Sequence, residues 1–405
     1  MTGPFLLTAS TFSARLEAMS KTQKKAYKYR FYPTPEQAVM LARTFGCCRV
    51  VYNWGLRERS DAYSQRGERL SYDDLSARLT TLKKQEAYTW LTEVSSVPLQ
   101  QTLRHLDRAF LNFFEGRAKY PTVKKKHGPQ AATFASSAFT WNGSHLTLAK
   151  MTEPLDIHWS RPLPEGAKPS TITVTKDCAE RYFVSILLEE EMAPWPPVNK
   201  QVGLDLGLKS MVITSDGQTY GNLKFFAKDE KKLARAQRRH AKKRKGSKNQ
   251  EKARRKLAKL HTRIADRRRD YQQKLSTAII RENQVVCVES LQVKNMVQNH
   301  HLAKAISDVG WSEFVRQLEY KAQWYDRTLV KIDKYYPSSK RCHHCGHILD
   351  LLSLDIRHWE CPECQMSHDR DINAARNVLA AGLAVAAFGE RVRPGRAKAR
   401  SGSAQ

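Results

Sequence analysis

Two cysteine pairs place the strongest constraint on what this chain can fold into. Cys342 and Cys345 in "CHHC", and Cys361 and Cys364 in "CPEC", form two CxxC pairs with fifteen residues between them. Two such turns brought together supply four thiolates in a tetrahedron, which is the ligand set of a closed, structural Zn²⁺ site. Four unligated thiols are the weaker interpretation. Four nearby histidines could each replace a thiolate, although none is needed: His343, His344, His347 and His368.

The charge of the chain points to a polyanionic partner. Its 405 residues include 69 Lys or Arg against 40 Asp or Glu, a net charge of +29. Between residues 224 and 269 there are 21 basic and four acidic residues, interrupted by "KGSK". This pattern predicts two basic helices that bind nucleic acid, although a solvated charged face is the alternative. The candidate contacts are Arg238, Arg239, Lys243, Arg254, Arg255, Arg267 and Arg268.

Nothing in the sequence indicates a membrane or a secretory route. There is no run of about 18 apolar residues, as a spanning helix requires. The early stretch "PFLLTASTF" lacks the basic flank of a signal peptide, and Met19 is a plausible alternative start. CxxC pairs in a basic chain of this kind indicate metal binding in a reducing compartment. We therefore expect a protein that works in a reducing compartment and requires no membrane.

The first half of the chain predicts a β-domain interrupted by helices. Alternating aromatic and basic residues in "AYKYRFY" (26–32) predict a strand, and Thr34 followed by Pro35 and Gln37 predicts a helix start. Leucine and phenylalanine stripes continue the helices to about residue 116. "TITVT" (171–175) and "YFVSILL" (182–188) then predict a hairpin. The proline-rich segment 193–200 predicts a linker.

The second half predicts an α/β unit. "VGLDLGLKSMVITSDG" contains two short apolar runs that should pair as strands, and "VVCVES" (285–290) reads as a buried strand. A helix carrying Trp311, Phe314 and Leu318 follows, and "VKIDKYY" predicts a further strand.

Three carboxylates stand out by their context. Asp205 interrupts an apolar run, Glu289 ends a buried strand, and Asp369 or Asp371 precedes a helix of small residues. A buried carboxylate is costly unless its charge is compensated, and Mg²⁺ or Mn²⁺ is a suitable compensator. Two such ions, about 3.5–4 Å apart, promote phosphodiester hydrolysis. The alternatives are a turn residue at Asp205 and a helix N-cap at Asp371, and spacing alone does not decide between them.

The order of these motifs resembles that of the TnpB proteins of insertion sequences, which are smaller relatives of type V CRISPR effectors. The resemblance covers roughly residues 25–380. It rests on "YKYRFYPTPEQ", "VYNWGL", "GLDLGLKSMVITSDG", "VVCVESLQVKNM", "YYPSSKRCHHCG", "CPEC" and "HDRDINAARN". It implies an RNA-guided DNA endonuclease with one RuvC-like site, in which Asp205, Glu289 and Asp371 are the catalytic metal ligands. Asp369 then becomes a neighbour that could orient the site.

The same resemblance implies an α+β multidomain architecture. A β-barrel-like wedge domain with an inserted helical recognition domain precedes a RuvC-like nuclease domain of RNase H fold, into which a zinc knuckle is inserted. We expect these segments: an extension at 1–24, wedge at 25–34 and 119–196, recognition at 35–118, nuclease at 197–337 and 368–386, knuckle at 338–367, and a disordered basic tail at 387–405.

The implied partners are a guide RNA derived from the transposon end and double-stranded target DNA, bound by a monomer that reads a short motif beside the target. Two other functions stay open at this point. One is an RNA-guided protein that represses transcription without cleavage, against which the intact Asp205, Glu289 and Asp371 argue. The other is a DNA transposase that acts without RNA.

Overall fold

A computed structural model describes residues 21–126, 128–353 and 355–387. Most of the tail expected at 387–405 and most of the extension expected at 1–24 lie outside these residues; Ala387, expected in the tail, is the last residue of a helix. The described chain divides into two compact units, residues 22–191 and residues 192–387. No helix in the described ranges has an apolar stretch long enough to cross a membrane.

A five-stranded sheet organises the first unit. Its hydrogen-bonded order is β2-β6-β7-β1-β5, with β1 at Lys21–Tyr32, β2 at Gln130–Ala135, β5 at Asp156–His158, β6 at Thr171–Lys176 and β7 at Tyr182–Met192. Between β2 and β5 the chain forms a separate hairpin of β3 (Phe139–Trp141) and β4 (Leu146–Leu148). The predicted hairpin of residues 171–188 is confirmed as the antiparallel pair β6–β7. β1 starts at Lys21, so the extension expected up to residue 24 is wrong for its last four residues, and Lys24 pairs with Glu189 across the sheet.

Three helices and one 3-10 segment lie between β1 and β2 in the sequence. They are α1 (Pro35–Arg66), α2 (Tyr72–Leu82), the 3-10 segment Glu86–Thr92 and α3 (Ser96–Phe114). The predicted start of α1 is confirmed, because Thr34 and Gln37 form a reciprocal capping box. Buried leucines and aromatic residues of helices and sheet join in one hydrophobic core.

A second five-stranded sheet organises residues 192–387. Its order is β10-β9-β8-β11-β12, with β8 at Gln201–Asp205, β9 at Ser210–Thr214, β10 at Thr219–Gly221, β11 at Val285–Glu289 and β12 at Thr328–Ile332. β8, β9 and β10 are antiparallel, while β11 runs parallel to both β8 and β12. The strand expected in "VKIDKYY" is wrong in its extent, because β12 ends at Ile332 and the chain turns at Asp333 to Lys340.

Helices cover both faces of this sheet. The basic pair is confirmed as α4 (Phe225–Ala241) and α5 (Lys248–Glu282), followed by α6 (Val293–Met296), α7 (His300–Val309) and α8 (Trp311–Trp324). Residues on alternate sheet positions, such as Leu204 and Val288, pack against α5 and α8. The opposite face, with Cys287 and Ile332, packs against α9 (Arg370–Ala387). No pattern in the sequence predicted the short helices α6 and α7.

Candidate active site and metal centre

The carboxyl ends of two neighbouring parallel strands bring Asp205 and Glu289 together. Asp205 is the last residue of β8, and Glu289 is the last residue of β11. The register pairs Leu204 with Val288, so the next residue of each strand lies side by side. Side chains alternate along a strand, so both carboxylates face the α9 side of the sheet. The polar residues that interrupt the two apolar runs therefore share one edge.

Helix α9 delivers the third carboxylate because it lies unusually close to the sheet. Asp371 is in its first turn. A Cβ built on Gly203 would lie 2.1 Å from the carbonyl oxygen of Ala375, and one on Gly382 would lie 2.3 Å from Cys287 Sγ. Only glycine fits at these two points, which lets the helix axis approach the strands.

Asp369 caps α9 and frees Asp371 to face the site. Asp369 Oδ1 accepts hydrogen bonds from the backbone N–H groups of Asp371, at 3.0 Å, and Ile372, at 2.9 Å. This is the bonding of a helix N-cap. The interpretation of Asp371 itself as the N-cap is therefore wrong: the cap lies two residues earlier, where the hairpin of β13 (His358–Glu360) and β14 (Ser367–Asp369) ends.

Electrostatic repulsion is concentrated at Asp205. Burial, followed by the negative charges of Glu289 and Asp371, raises the pKa of Asp205 to about 7. Burial also raises the pKa of Glu289, although the Ser338 hydroxyl opposes the shift by donating a hydrogen bond to its Oε1. Two neighbouring carboxyl groups with raised pKa values, Asp205 and Glu289, fit a divalent cation, which would neutralise their charge.

The carboxylates are held by neighbours rather than packed into a tight ligand cluster. Arg357 Nη1 donates hydrogen bonds to both oxygens of Asp371, at 2.8 and 2.7 Å. Within residues 21–126, 128–353 and 355–387, four cysteines form the one group of three or more His, Cys, Asp or Glu side chains whose ligand atoms all lie within 4.8 Å. The oxygens of Asp205, Glu289 and Asp371 are therefore spread more widely than that, and both oxygens of Asp371 are occupied by Arg357.

Sequence reasoning missed both Ser338 and Arg357. Ser338 lies in the turn after β12, and Arg357 lies in the segment between the two cysteine pairs. No spacing or composition distinguishes either residue from its neighbours. Their roles depend on which carboxylate the folded chain places next to them.

The four cysteines of the two pairs meet as the sequence predicted. The sulfur atoms of Cys342, Cys345, Cys361 and Cys364 all lie within 4.8 Å of one another. Cys342 and Cys361 are buried beside Trp359, and Cys345 is exposed. His368 lies outside the group, with its Nε2 3.0 Å from Cys342 Sγ. Four soft donors with no carboxylate among them fit Zn²⁺ in a structural site.

The seven candidate nucleic-acid contacts divide into two sets. Arg238, Arg239 and Lys243 are exposed at the end of α4. The other four contact the protein itself: Arg254 and Arg255 pair with Glu251, Arg267 pairs with Asp229, and Arg268 Nη1 donates to the carbonyl oxygen of Ser307 at 2.8 Å.

Known proteins resemble this chain over most of its length. A family model described as "Probable transposase" matches residues 183–300, and one described as "Cas12f1-like, TNB domain" matches residues 311–378. A Streptomyces pristinaespiralis protein, "Putative RNA-guided DNA endonuclease", is 52% identical, with 95% of this chain and 96% of that protein covered. A relative from Escherichia coli (strain K12) with the same description is 33% identical, covering 92% and 96%. "TnpB-like protein L79" of Acanthamoeba polyphaga mimivirus is 29% identical over 55% of this chain and 46% of that one.

The chain belongs to the TnpB family. The resemblance seen in its motifs is thereby confirmed. A solved Cas12f1–sgRNA–target DNA complex matches this TnpB protein with a TM-score of 0.57 at 14% identity, covering 88% of this chain and 98% of the Cas12f1 chain. This TnpB protein therefore has a Cas12f1-like fold of mixed α/β type.

One family model carries a description that the structure does not follow. A "Helix-turn-helix domain" model matches residues 19–68 of this TnpB protein. From Lys21 to Arg66 the structure has one strand, β1, and one uninterrupted helix, α1. The match identifies the relatives, while the local structure is a strand followed by a single long helix.

Proposed function

We propose that this TnpB protein is an RNA-guided DNA endonuclease of an insertion sequence, which cleaves target DNA beside a short transposon-associated motif. The observation that supports it best is the meeting of Asp205 and Glu289 at adjacent strand ends with Asp371 delivered by α9. In a basic chain of this family, such a carboxylate group supports cleavage over binding alone.

The proposed site is RuvC-like, of RNase H fold. The order β10-β9-β8-β11-β12, with three antiparallel strands followed by two parallel ones, supports this assignment. Asp205, Glu289 and Asp371 would hold Mg²⁺ or Mn²⁺. When bound, such ions activate the attacking water and stabilise the leaving oxygen of the phosphodiester.

The surrounding residues prepare the carboxylates for that work. Ser338 orients the Glu289 carboxylate by hydrogen bonding, and the Asp369 cap fixes the first turn of α9. Arg357 pairs with Asp371, and this ion pair would have to open for Asp371 to hold a metal ion. Zn²⁺ bound by the four cysteines would anchor the knuckle that carries Arg357.

The remaining assignments extend the proposal to the partners. We assign guide RNA from the transposon end and the guide–target heteroduplex to the wedge segments (25–34 and 119–196) and the recognition segment (35–118), and further guide RNA contacts to the exposed Arg238, Arg239 and Lys243. The protein would act as a cytoplasmic monomer at the nucleoid. Base pairing would read the target sequence while the protein reads backbone shape and the adjacent motif.

Asp205→Asn tests the nuclease site. This isosteric change removes a charged ligand, so we expect cleavage of a guide-matched duplex to fall at least 100-fold while guide and target binding stay within about twofold. Thermal unfolding in chelator should shift upward by a few degrees, because one of three repelling carboxylates is gone. Asp270→Asn, at an exposed carboxylate on α5, is the control.

Two results would contradict the proposal in different ways. If Asp205→Asn loses target binding together with cleavage, then the metal-ligand assignment is wrong. If the parent purified with its co-expressed transposon end carries no RNA, or cuts equally well after treatment with RNase, then guidance by RNA is wrong and the transposase alternative gains support.

A further inference from the structure

A cavity of about 320 Å³ lies at the carboxyl end of β11, with Glu289 in its wall. We call it the edge cavity. Its apolar surface comes from Leu291, Val293, Trp311 and Val315. The exposed side chains of Arg316 and Lys331 line it as well. Trp311 is only 2% exposed, so its indole forms a rigid part of the wall.

The edge cavity lies on the α8 side of the sheet edge and meets the carboxylate group at Glu289. Side chains alternate along β11, so Glu289 faces α9 while Val288 faces α8. Lys331 is the register partner of Val288, and it shares the α8 side with the cavity. Because Glu289 belongs to both the cavity wall and the carboxylate group, the cavity adjoins the place where a DNA strand would be held at the carboxylates.

The size and lining of the edge cavity fit one flat, partly apolar group. Its volume is at the lower end of the roughly 300–1,000 Å³ range of small-ligand sites. Apolar and aromatic walls with a few polar side chains at the opening bind unpaired nucleobases, because every base has a stacking face and a hydrogen-bonding edge.

The charged groups at the opening of the cavity suit the phosphate backbone of a DNA strand whose base enters it. Arg316 pairs with Glu313 at 2.7 Å, and Lys331 pairs with Glu319. These side chains are between 39% and 60% exposed, so the Lys331–Glu319 pair costs little to open, whereas the Arg316–Glu313 pair is bidentate and costs more. Lys331 can therefore turn toward a phosphate, while Arg316 adds positive charge at the opening.

We infer that the edge cavity binds one unstacked base of the DNA strand being cut, one or two nucleotides from the cleaved bond. This inference rests on the proposed function and adds a subsite that positions the strand. The base enters beside Trp311 and Val315, and its flanking phosphate contacts Lys331. The site takes any base, because Leu291, Val293 and Val315 offer apolar contact rather than a fixed hydrogen-bonding code.

An abasic scan of the substrate tests the inference on the parent protein. Guide-matched duplexes each carry a single abasic nucleotide at successive positions on either side of the cleaved bond. Stacking on one base changes affinity by about 5- to 150-fold, so we expect one position within two nucleotides of that bond to slow cleavage about tenfold. Uniform rates across these positions would overturn the inference.

A matched pair of tryptophan variants tests whether the edge cavity causes the sensitivity of cleavage to the abasic position. Ser312→Trp places an indole at the exposed opening of the cavity, whereas Ser307→Trp makes the same change at an exposed position on α7. We expect Ser312→Trp to cut the intact substrate about tenfold more slowly and to lose the sensitivity to the abasic position. Ser307→Trp should behave like the parent.

Two further measurements separate the outcomes. Both variants should bind guide RNA and unfold thermally as the parent does; if Ser312→Trp does not, then Val315→Ile, which narrows the cavity by one methylene, replaces it. A Ser312→Trp or Val315→Ile variant that folds and keeps the full abasic penalty would overturn the inference. Absence of any guide-dependent cleavage by the parent would instead overturn the proposed function, and the subsite with it.

Discussion

Lys321 carries an ammonium group into the packing between α5 and α8. The residue is 4% exposed. Its Nζ donates hydrogen bonds to the carbonyl oxygen of Gln273 at 2.8 Å, Ser276 Oγ at 2.7 Å and Thr277 Oγ1 at 2.8 Å. No carboxylate is among these acceptors, and burial lowers the pKa of Lys321 to about 8. The folded chain therefore pays for this charge at neutral pH.

The stability of the chain should depend on pH through Lys321. The folded-state pKa is below the ordinary value of 10.5, so the cost is full below about pH 8 and is relieved as pH rises toward 10.5. The parent's free energy of unfolding should rise over that window by up to about 1.4 kcal/mol per pH unit more than that of Lys321→Met. Urea titrations at pH 7.5, 8.5 and 9.5 measure this difference.

Lys274→Met provides the matched control, because Lys274 lies exposed on α5 in an ion pair with Asp270. Its pH dependence should follow that of the parent. Equal slopes for the parent and Lys321→Met would show that Lys321 stays protonated throughout.

At the residue scale, the sequence predicted those site residues whose polarity differs from that of the apolar strand in which they lie. Asp205 and Glu289 were recognisable because each interrupts or ends an apolar run. Arg357 was not, since it reaches Asp371 across 14 positions of chain through the fold of the knuckle. The distinction between Asp369 and Asp371 also required the backbone, because either aspartate could cap a helix that starts at this point.

At the element scale, the contact between α9 and the sheet depends on two missing Cβ atoms. Gly203→Ala would place a methyl group 2.1 Å from the carbonyl oxygen of Ala375 and 2.6 Å from the backbone nitrogen of Leu379. Neither backbone atom can move independently, so the helix must shift. We expect a loss of about 3 kcal/mol or more in the free energy of unfolding, together with loss of cleavage, because Asp371 moves with α9.

Gly221→Ala is the control for that substitution. Its Cβ would meet no atom within 4 Å, so the unfolding midpoint in urea should stay close to that of the parent. A stable, active Gly203→Ala protein would show that α9 does not fix the position of Asp371.

The knuckle provides a second test at this scale. Cys361→Ser should lower bound zinc well below one ion per chain and reduce the soluble yield, because three thiolates and a hydroxyl bind Zn²⁺ more weakly than four thiolates. Elemental analysis of the purified protein measures the ratio. Cys178→Ser, at an exposed cysteine of the other unit, should retain one zinc; full stoichiometry in Cys361→Ser would count against the four-thiolate site.

Elements were more predictable where they were long enough to show their hydrophobic period several times. The β6–β7 hairpin and the α4–α5 pair were found from alternation and helical stripes. The four-residue helix α6 and the early end of β12 were missed, because segments of this length leave too few residues for a period to emerge. The close approach of α9 was also hidden, since a glycine in a strand reads equally well as a weak point.

At the scale of the whole molecule, the excess of 29 positive charges should make RNA binding strongly salt-dependent. Replacing Arg238, Arg239 and Lys243 together by glutamine should reduce the slope of log affinity against log salt by about two to three, since each phosphate contact contributes about 0.7–0.9. Binding of the guide RNA measured between about 50 and 500 mM salt gives the slope. Thermal stability should stay unchanged, because all three side chains are exposed.

The double variant Arg267→Gln, Arg268→Gln is expected to lower stability more than it changes RNA binding. These side chains hold Asp229 and the carbonyl oxygen of Ser307, so the unfolding midpoint should fall by several degrees while the salt slope changes less. An unchanged slope in the triple variant would exclude the end of α4 from the RNA interface. Charge in the sequence thus predicted the class of partner, whereas the division between binding and structural arginines depended on which acceptors the fold supplies.

The hydrogen bonds from Arg357 to Asp371 connect the knuckle with the carboxylate group. Arg357 precedes the second cysteine pair by four residues, and β13 and β14 carry the chain from there to α9. A newly made chain without zinc would have no closed knuckle to hold this segment, so the position of Asp371 would not be fixed. If zinc fills the four-cysteine group as proposed, the carboxylate group would reach its final arrangement only after the knuckle has closed.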